Sequence, residues 1–379
     1  MSLIKLPVSI GEAIDKLTIL DIKCQMIKDS RREDCIKEFD MLFDELKEVL
    51  IDNLYYYNTL KYINLKIWKD QDIIRAINDN DLIGKLANKI LKDNDARFRI
   101  KKIINDLSNS VLKEQKSYAR TRAVFLSHMG MGDLINLNGS IRYVSIMYDE
   151  VILFTPSQYE DNVKQMFNDL TNIKYMIVNK DYLYTNITKE AIEKSTGTKI
   201  DTIYKSGYQI DRSKNMDRIP LSFYEDMDLD IDIMKVFFKI DKEKIKESEL
   251  LSSMLEEKGY EFIFCHLMGG LGDINSYDFT KTGLDKIKDK YLVIDVKINR
   301  YEKDHKFYDI ANLFVGLPIF QYYDIMKKAK EIHTVNSSFY CLASRICDNE
   351  EQKKICYCDS NLSYLDEYFG KWKYVKINN

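Results

Sequence analysis

The stretch FLSHMGMGDLINLNGSIRYVS, residues 125–145, joins a short apolar run to a glycine-rich turn, and the turn to a segment of helical character. Around it, the apolar, β-branched runs RAVFLSH, DEVILFTP and IKYMIVN alternate with helix-like segments. Such alternation is typical of a parallel sheet that helices cover on both faces. The stretch therefore predicts an α/β fold in which the glycine-rich turn follows the end of a strand.

The same alternation returns later in the chain. After an acidic, proline-containing stretch near residues 220–245, which we interpret as a linker, apolar runs recur in YEFIFCHL, KYLVIDVK, KEIHTV, KKICYCD and KYVKI. Residues 9–118 instead carry apolar stripes at helical spacing, among them separate stripes at 35–54 and 55–71, after a capping box at Ser9 and Glu12. The pattern predicts a helical bundle or hairpin domain at 1–118 and two doubly wound Rossmann-like domains at 119–240 and 241–379.

Composition narrows the class of protein. The 379 residues carry a formal net charge of −3, which argues against a nucleic-acid partner. No apolar run reaches the about 18 residues that would suggest a transmembrane helix, and the start of the chain lacks a secretory signal, so we expect a cytoplasmic protein. The seven cysteines are interpreted as reduced structural thiols, without a zinc site. We expect no metal and no cofactor, and the N-terminal helices offer a surface for a homo-oligomer.

The glycine-rich turn is the first candidate site, because open α/β sheets bind ligands at the carboxyl ends of their strands. Gly130 and Gly132 would let the backbone approach a ligand or take a positive φ. His128 and Asp133 are candidate bases, although Asp133 could equally cap the following helix. The spacing of the glycines matches neither the dinucleotide fingerprint nor a Walker A loop.

A second candidate is the turn in AKEIHTVNSSFYCLASRI, residues 329–346. A helix that starts there would offer free amides and hydroxyls to a phosphate, or be capped by those residues in the ordinary way. The stretch FIFCHLMGGLGD repeats the strand, histidine and glycine order of the first turn. The candidate binding residues from these segments and from the basic segment DVKINR are Asn336, Ser337, Ser338, His266, Gly269, Gly270, Lys297 and Arg300.

The pair GMGDLINLNGSIR and AKEIHTVNSSFYCLASRI resembles glycosyltransferases of the GT-B class, especially the heptosyltransferase-like group, and YEFIFCH resembles a strand of fucosyltransferase-like proteins. The resemblance implies that Asp133 is the base and that residues 336–338 hold the donor diphosphate. The chain departs from that group in two places: Asn-Ser-Ser replaces the usual Asp-Thr-Gly, and Tyr340 or Cys341 stands where the following helix usually has histidine. Separately, LPVSIGEAIDKLTILDIK resembles the opening of a small uncharacterised domain family.

These observations together predict a glycosyltransferase that moves a sugar from a nucleotide-sugar donor to the hydroxyl of a glycan or another acceptor. The C-terminal half would hold the donor and the first α/β half the acceptor. Lys297 or Arg300 would stabilise the departing diphosphate, unless they are ordinary surface cations. Two alternatives remain open: a nucleotide-sugar epimerase on the same architecture, and a non-catalytic binding or scaffold protein.

Overall fold

The computed structural model describes residues 6–117, 119–127, 130–184, 187–207, 219–269, 276–359 and 362–377. Within these ranges the protein is mixed α/β, with long helices first and two β-sheets after them. None of the helices in the described ranges combines the length and the apolar composition needed to cross a membrane.

The helices begin and end at defined residues. The α-helices are α1 Ile10–Met26, α2 Arg31–Ala76, α3 Asn80–Leu107, α4 Met131–Asn136, α5 Asn138–Met147, α6 Glu160–Phe167, α7 Lys189–Thr196, α8 Leu221–Asp226, α9 Ile233–Val236, α10 Lys242–Glu257, α11 Tyr308–Asn312, α12 Tyr323–Lys328, α13 Ser338–Ile346 and α14 Asp366–Phe369. Short 3-10 helices lie at Ser157–Tyr159, Lys180–Tyr184, Phe279–Thr282, Leu284–Lys286, Ile319–Tyr322 and Ser363–Leu365.

Two sheets contain the strands. The strands are β1 Arg122–Ser127, β2 Glu150–Pro156, β3 Ile173–Val178, β4 Thr202–Ser206, β5 Phe262–His266, β6 Leu292–Asp295, β7 Glu331–Val335, β8 Lys353–Tyr357 and β9 Lys373–Val375. The first sheet has the order β3-β2-β1-β4 and the second has the order β6-β5-β7-β8-β9. All neighbours in the second sheet are parallel, so the carboxyl ends of β5, β6 and β7 lie at one edge of that sheet.

The chain divides into two compact units, each with segments from different parts of the sequence. The first unit contains Met1–Ala123, Arg142–Val151 and Lys199–Thr202, and the second contains Val124–Ile141, Ile152–Thr198 and Ile203–Asn379. The residues of the glycine-rich turn and of the second sheet belong to the second unit.

A buried polar network holds the helices of the first unit together. Asp15 is only 1% exposed and accepts hydrogen bonds from Arg97 Nε at 2.8 Å and from Asn64 Nδ2 at 2.9 Å. These bonds link α1 to α2 and α3. Because Asp15 is paired with a guanidinium and also hydrogen-bonded, its burial is compensated.

The predicted helical and strand segments are largely confirmed, with three corrections. The separate helical stripes at 35–54 and 55–71 are parts of one 46-residue helix, α2. Strand β4 is absent from the sequence prediction, because its sequence TIYKS lacks a long apolar run. The stretch near 220–245 is not a solvated linker, since Phe223 and Ile233 in it are 0% and 1% exposed. Its helices α8 and α9 are packed parts of the second unit.

Gly11 generates a test of the helical packing in the first unit. A Cβ atom at this position of α1 would lie 2.5 Å from the carbonyl oxygen of Lys101 in α3. We expect Gly11→Ala to lower the free energy of unfolding by about 1–3 kcal/mol, the usual cost of overpacking. Urea denaturation measures this change.

Gly84→Ala is the matched control, because a Cβ there meets nothing within 4 Å on the exposed side of α3. That substitution should stabilise the protein by up to about 1 kcal/mol through helix propensity. Equal effects of the two substitutions would contradict the proposed close contact between α1 and α3.

Candidate functional site

The glycine-rich turn packs against the start of α13. A Cβ atom on Gly132 would lie 3.2 Å from the Sγ of Cys341 and 3.4 Å from the backbone nitrogen of Ser338. Glycine therefore permits a close approach of α4 to α13, because a Cβ atom here would require the Cys341 side chain to shift by a few tenths of an ångström. The alternative of a positive φ is wrong: Gly130 has a φ of −78°, and neither glycine is among those with positive φ.

Gly139, the third glycine of this segment, also serves a close backbone contact. Its Cβ would lie 2.4 Å from the carbonyl oxygen of Ile233, at the start of α9. Nearby, the side chain of Asn138 donates to the carbonyl oxygen of Lys239 at 3.1 Å and accepts from the backbone N–H of Lys239 at 3.0 Å. These contacts fix the segment 233–239 against the start of α5.

Asp133 lies in the first turn of α4. Its Oδ2 accepts a hydrogen bond of 3.1 Å from the backbone N–H of Gly130, the carboxylate half of a capping box. The N-cap residue of α4 is Gly130, so Asp133 contacts the helix start from the first turn and is not itself the N-cap. Its use as a base stays a prediction. His128, the other candidate base, lies outside the described residues.

The turn before α13 brings the ends of β5 and β7 together. Ser337 occupies the N-cap position, but its side chain does not cap the helix. Its hydroxyl instead lies 3.1 Å from Nδ1 of His266 and 3.3 Å from Oγ1 of Thr334. Ordinary capping by Ser337 is therefore wrong, because the hydroxyl is turned toward the strand ends. Ser338 begins the helix and Asn336 is exposed.

His266 is a buried, neutral histidine at the end of β5. The residue is 4% exposed, and its ring lies 4.5 Å from the ring of Phe339, centroid to centroid. Burial, together with the positive charge of Lys297, lowers the pKa of His266 to about 4. The imidazole is uncharged at neutral pH and can share one proton with Ser337 or with a ligand.

The two candidate cations differ in how they are held. Lys297 is exposed, and its backbone N–H donates to Oδ1 of Asp295 at 2.8 Å. Arg300 forms an ion pair with the same buried carboxylate, with Nη2 2.6 Å from Oδ2, and its guanidinium lies 4.5 Å from the centroid of the Phe279 ring. The charge of Arg300 is therefore already compensated, whereas Lys297 is the better placed of the two to meet a ligand.

Of the two glycines predicted as binding residues in the segment after β5, the structure describes Gly269 and not Gly270. Gly269 follows the end of β5 and is buried. Gly270 lies outside the described residues, so its predicted contact with a ligand stays a prediction.

Three neighbours of the predicted site residues were not predicted to be site residues themselves. They are Thr334 beside Ser337, Phe339 against the ring of His266, and Cys341 against Gly132. Their spacing around the turn was the available signal, because alternate residues of a strand share one face, as do residues three or four apart in a helix.

Comparison with known proteins gives limited matches. A family of unknown function (DUF6165) matches residues 4–136, a range that includes α1 to α3, β1 and the glycine-rich turn. None of the curated proteins matches the chain. A solved glycosyl transferase family 9 protein from Veillonella parvula DSM 2008 is similar to this chain, with 10% sequence identity and a TM-score of 0.42. The match covers 70% of this chain and 90% of the Veillonella chain.

We expect His266 to make the folded protein less stable in acid. Its pKa is lower in the folded protein, about 4, than the ordinary 6.5, so the unfolded chain binds the proton first as the pH falls. The free energy of unfolding therefore keeps the full contribution of neutral His266 above pH 6.5. It falls by about 3 kcal/mol as the pH is lowered to 4. Urea unfolding of the wild type and of His266→Asn between pH 7 and pH 4 measures it.

The His266→Asn variant should lose less stability on acidification than the wild type, whatever its stability at pH 7. His305→Asn is the control for the loss of a histidine, since that side chain is 22% exposed and lies beside Asp289. Parallel pH profiles for the wild type and His266→Asn would show that the histidine is not held neutral by burial.

Proposed function

We propose that this chain is a glycosyltransferase of two-domain GT-B arrangement that transfers a sugar from a nucleotide-sugar donor to an acceptor hydroxyl. The observation that carries the proposal is that the end of β5 and the glycine-rich turn both lie beside the start of α13. The N-terminal turn of that helix begins beside neutral His266, and Gly132 packs against it. Ligand sites of parallel α/β sheets lie at such strand ends.

The start of α13 suits a diphosphate. A nine-residue helix presents backbone N–H groups and the positive end of its dipole at its first turn. The Ser337 side chain does not cap this turn, so a phosphate would complete it, with the Ser338 hydroxyl and Asn336 at its edge. Lys297 would add a positive charge as the leaving diphosphate gains negative charge. No metal is required by this scheme.

Asp133 or His128 would remove the proton of the acceptor hydroxyl. Asp133 is held in the first turn of α4 by its bond to Gly130, which fixes the direction of the carboxylate. A base must lie within hydrogen-bond reach of the proton that it removes, and a fixed carboxylate meets that requirement better than a mobile one.

Ligand binding and product analysis distinguish the proposed transferase from the two alternatives, an epimerase and a non-catalytic scaffold protein. Titration with a panel of nucleoside diphosphates should give saturable binding for a transferase or an epimerase and none for a scaffold protein. Incubation of nucleotide sugars with and without acceptor alcohols then separates the first two, because an epimerase converts the sugar without an acceptor. Absence of binding to every nucleotide would refute the proposed function.

Asp133→Asn tests the base. If Asp133 removes the acceptor proton, turnover should fall by about 10²-fold or more while donor affinity and fold are kept. The amide oxygen of asparagine can still accept the hydrogen bond from the backbone N–H of Gly130, so this contact at the helix start is kept. Initial rates and donor affinity, measured on the same preparation, provide the readout. Turnover within about twofold of wild type would remove Asp133 from the mechanism.

Replacement of Ser337 and Ser338 by valine tests the phosphate turn. The bulky side chains remove the hydroxyls and hinder approach to the backbone N–H groups of α13. We expect the affinity for a nucleoside diphosphate to fall by about tenfold or more, and the affinity for the matching nucleoside to change little. Calorimetric titration with both ligands is the measurement, and an equal loss for both would point to unfolding of the turn.

A further inference from the structure

A cavity lined by several charged residues lies near the C-terminal end of α13, in the second compact unit. Its volume is about 400 Å³, and Arg345 is among the residues that line it. Seven residues separate Arg345 from Ser338, which corresponds to about 10 Å along a helix. The proposed phosphate turn thus lies at the opposite end of α13.

Arg345 lines this cavity and has side-chain donors without a partner in the described part of the chain. Its Nε and Nη1 atoms are buried and make no hydrogen bond in the described part of the chain. Its Nη2 atom contacts Sδ of Met234 at 3.0 Å and Oδ1 of Asn136 at 3.4 Å. The guanidinium lies 4.0 Å from the centroid of the Phe369 ring. The ring and the sulfur hold the side chain in place but leave two of its nitrogen atoms unsatisfied.

The charge of Arg345 has no counter-charge within the described ranges. No carboxylate among the residues that the structure describes forms an ion pair with it, and burial lowers the pKa of its guanidinium to about 10. A buried cation without a counter-charge is unfavourable, and a bound anion would relieve that cost. Ser344 lines the same cavity, and its hydroxyl is buried and has no partner among the residues described in the structure.

A second buried cation lies in the wall of the cavity. Lys354 is 6% exposed, and its ammonium donates to the carbonyl oxygen of Cys347 at 2.8 Å. The cavity is also lined by acidic residues, of which Asp348, Glu350 and Glu367 are exposed. Exposed carboxylates are screened by solvent, but they would oppose a ligand with several negative charges.

We propose that this cavity binds one oxyanion group, phosphoryl or carboxylate, on a small molecule whose remainder is neutral or cationic, with Arg345 as the main ligand. The unpartnered N–H groups of Arg345 and the hydroxyl of Ser344 supply the donors. The acidic lining selects against polyphosphates. This site does not depend on the proposed transferase activity.

Fluorescence of Trp372 gives a local readout, because this buried residue follows Lys371 in the cavity lining. The chain has two tryptophans, so Trp68→Phe leaves Trp372 as the only one. Inorganic phosphate, acetate and a triphosphate are titrated separately at constant ionic strength. We expect a saturable change in Trp372 fluorescence with phosphate or with acetate, and weaker binding of triphosphate. The separate titrations show which of the two oxyanions the cavity prefers.

Arg345→Met in the same background should weaken the response by about tenfold or more. Lys235→Met, which removes an exposed cation from the lining, is the matched control and should change the affinity by less than about twofold. The Ser337 and Ser338 valine variant should keep the response, which separates this site from the phosphate turn. A saturable response that Arg345→Met leaves unchanged would overturn the proposal.

If Arg345→Met does not fold, Arg345→Lys keeps a positive charge but removes the fork of donors, and it should still weaken binding. The wild-type titration is decisive in either case. A lack of saturable response to both phosphate and acetate would overturn the proposal without any variant.

Discussion

The absence of a side chain at Gly132 is the constraint on which the candidate site depends. Cys341 and Ser338 lie so close to this glycine that a Cβ atom would meet both. A side chain that extends beyond Cβ would press further into Cys341 and Ser338, because packed interiors accommodate added atoms poorly. The turn after β1 and the turn after β7 therefore lie in close contact at Gly132.

This packing places two helix starts side by side, and each start carries unsatisfied N–H groups and a partial positive charge. Asp133 offsets part of that charge at α4 through its hydrogen bond to Gly130. At α13 the Ser337 hydroxyl is bonded to His266 and Thr334 instead. The two turns are thus satisfied differently, and α13 has the greater need for an anion.

Asn136 connects the two ends of α13. It donates to Sγ of Cys341 at 3.4 Å, and its amide oxygen accepts from Arg345. Asn136 is the last residue of α4, the short helix that also carries Gly132 and Asp133. A movement of Arg345 would therefore alter a hydrogen bond at the end of that helix. The two proposed sites share this helix without sharing ligands.

The sequence by itself determined most of the strands, the helical first part and the position of the glycine-rich turn, since these follow from local periodicity and turn chemistry. Tertiary structure decided the rest. Strand β4 has a weak local signal and is recognised by its pairing with β1 at the edge of the sheet, and the packing of Phe223 depends on residues distant in sequence. The direction of the Ser337 hydroxyl and the surroundings of Arg345 were likewise set by distant contacts, which a linear pattern does not specify.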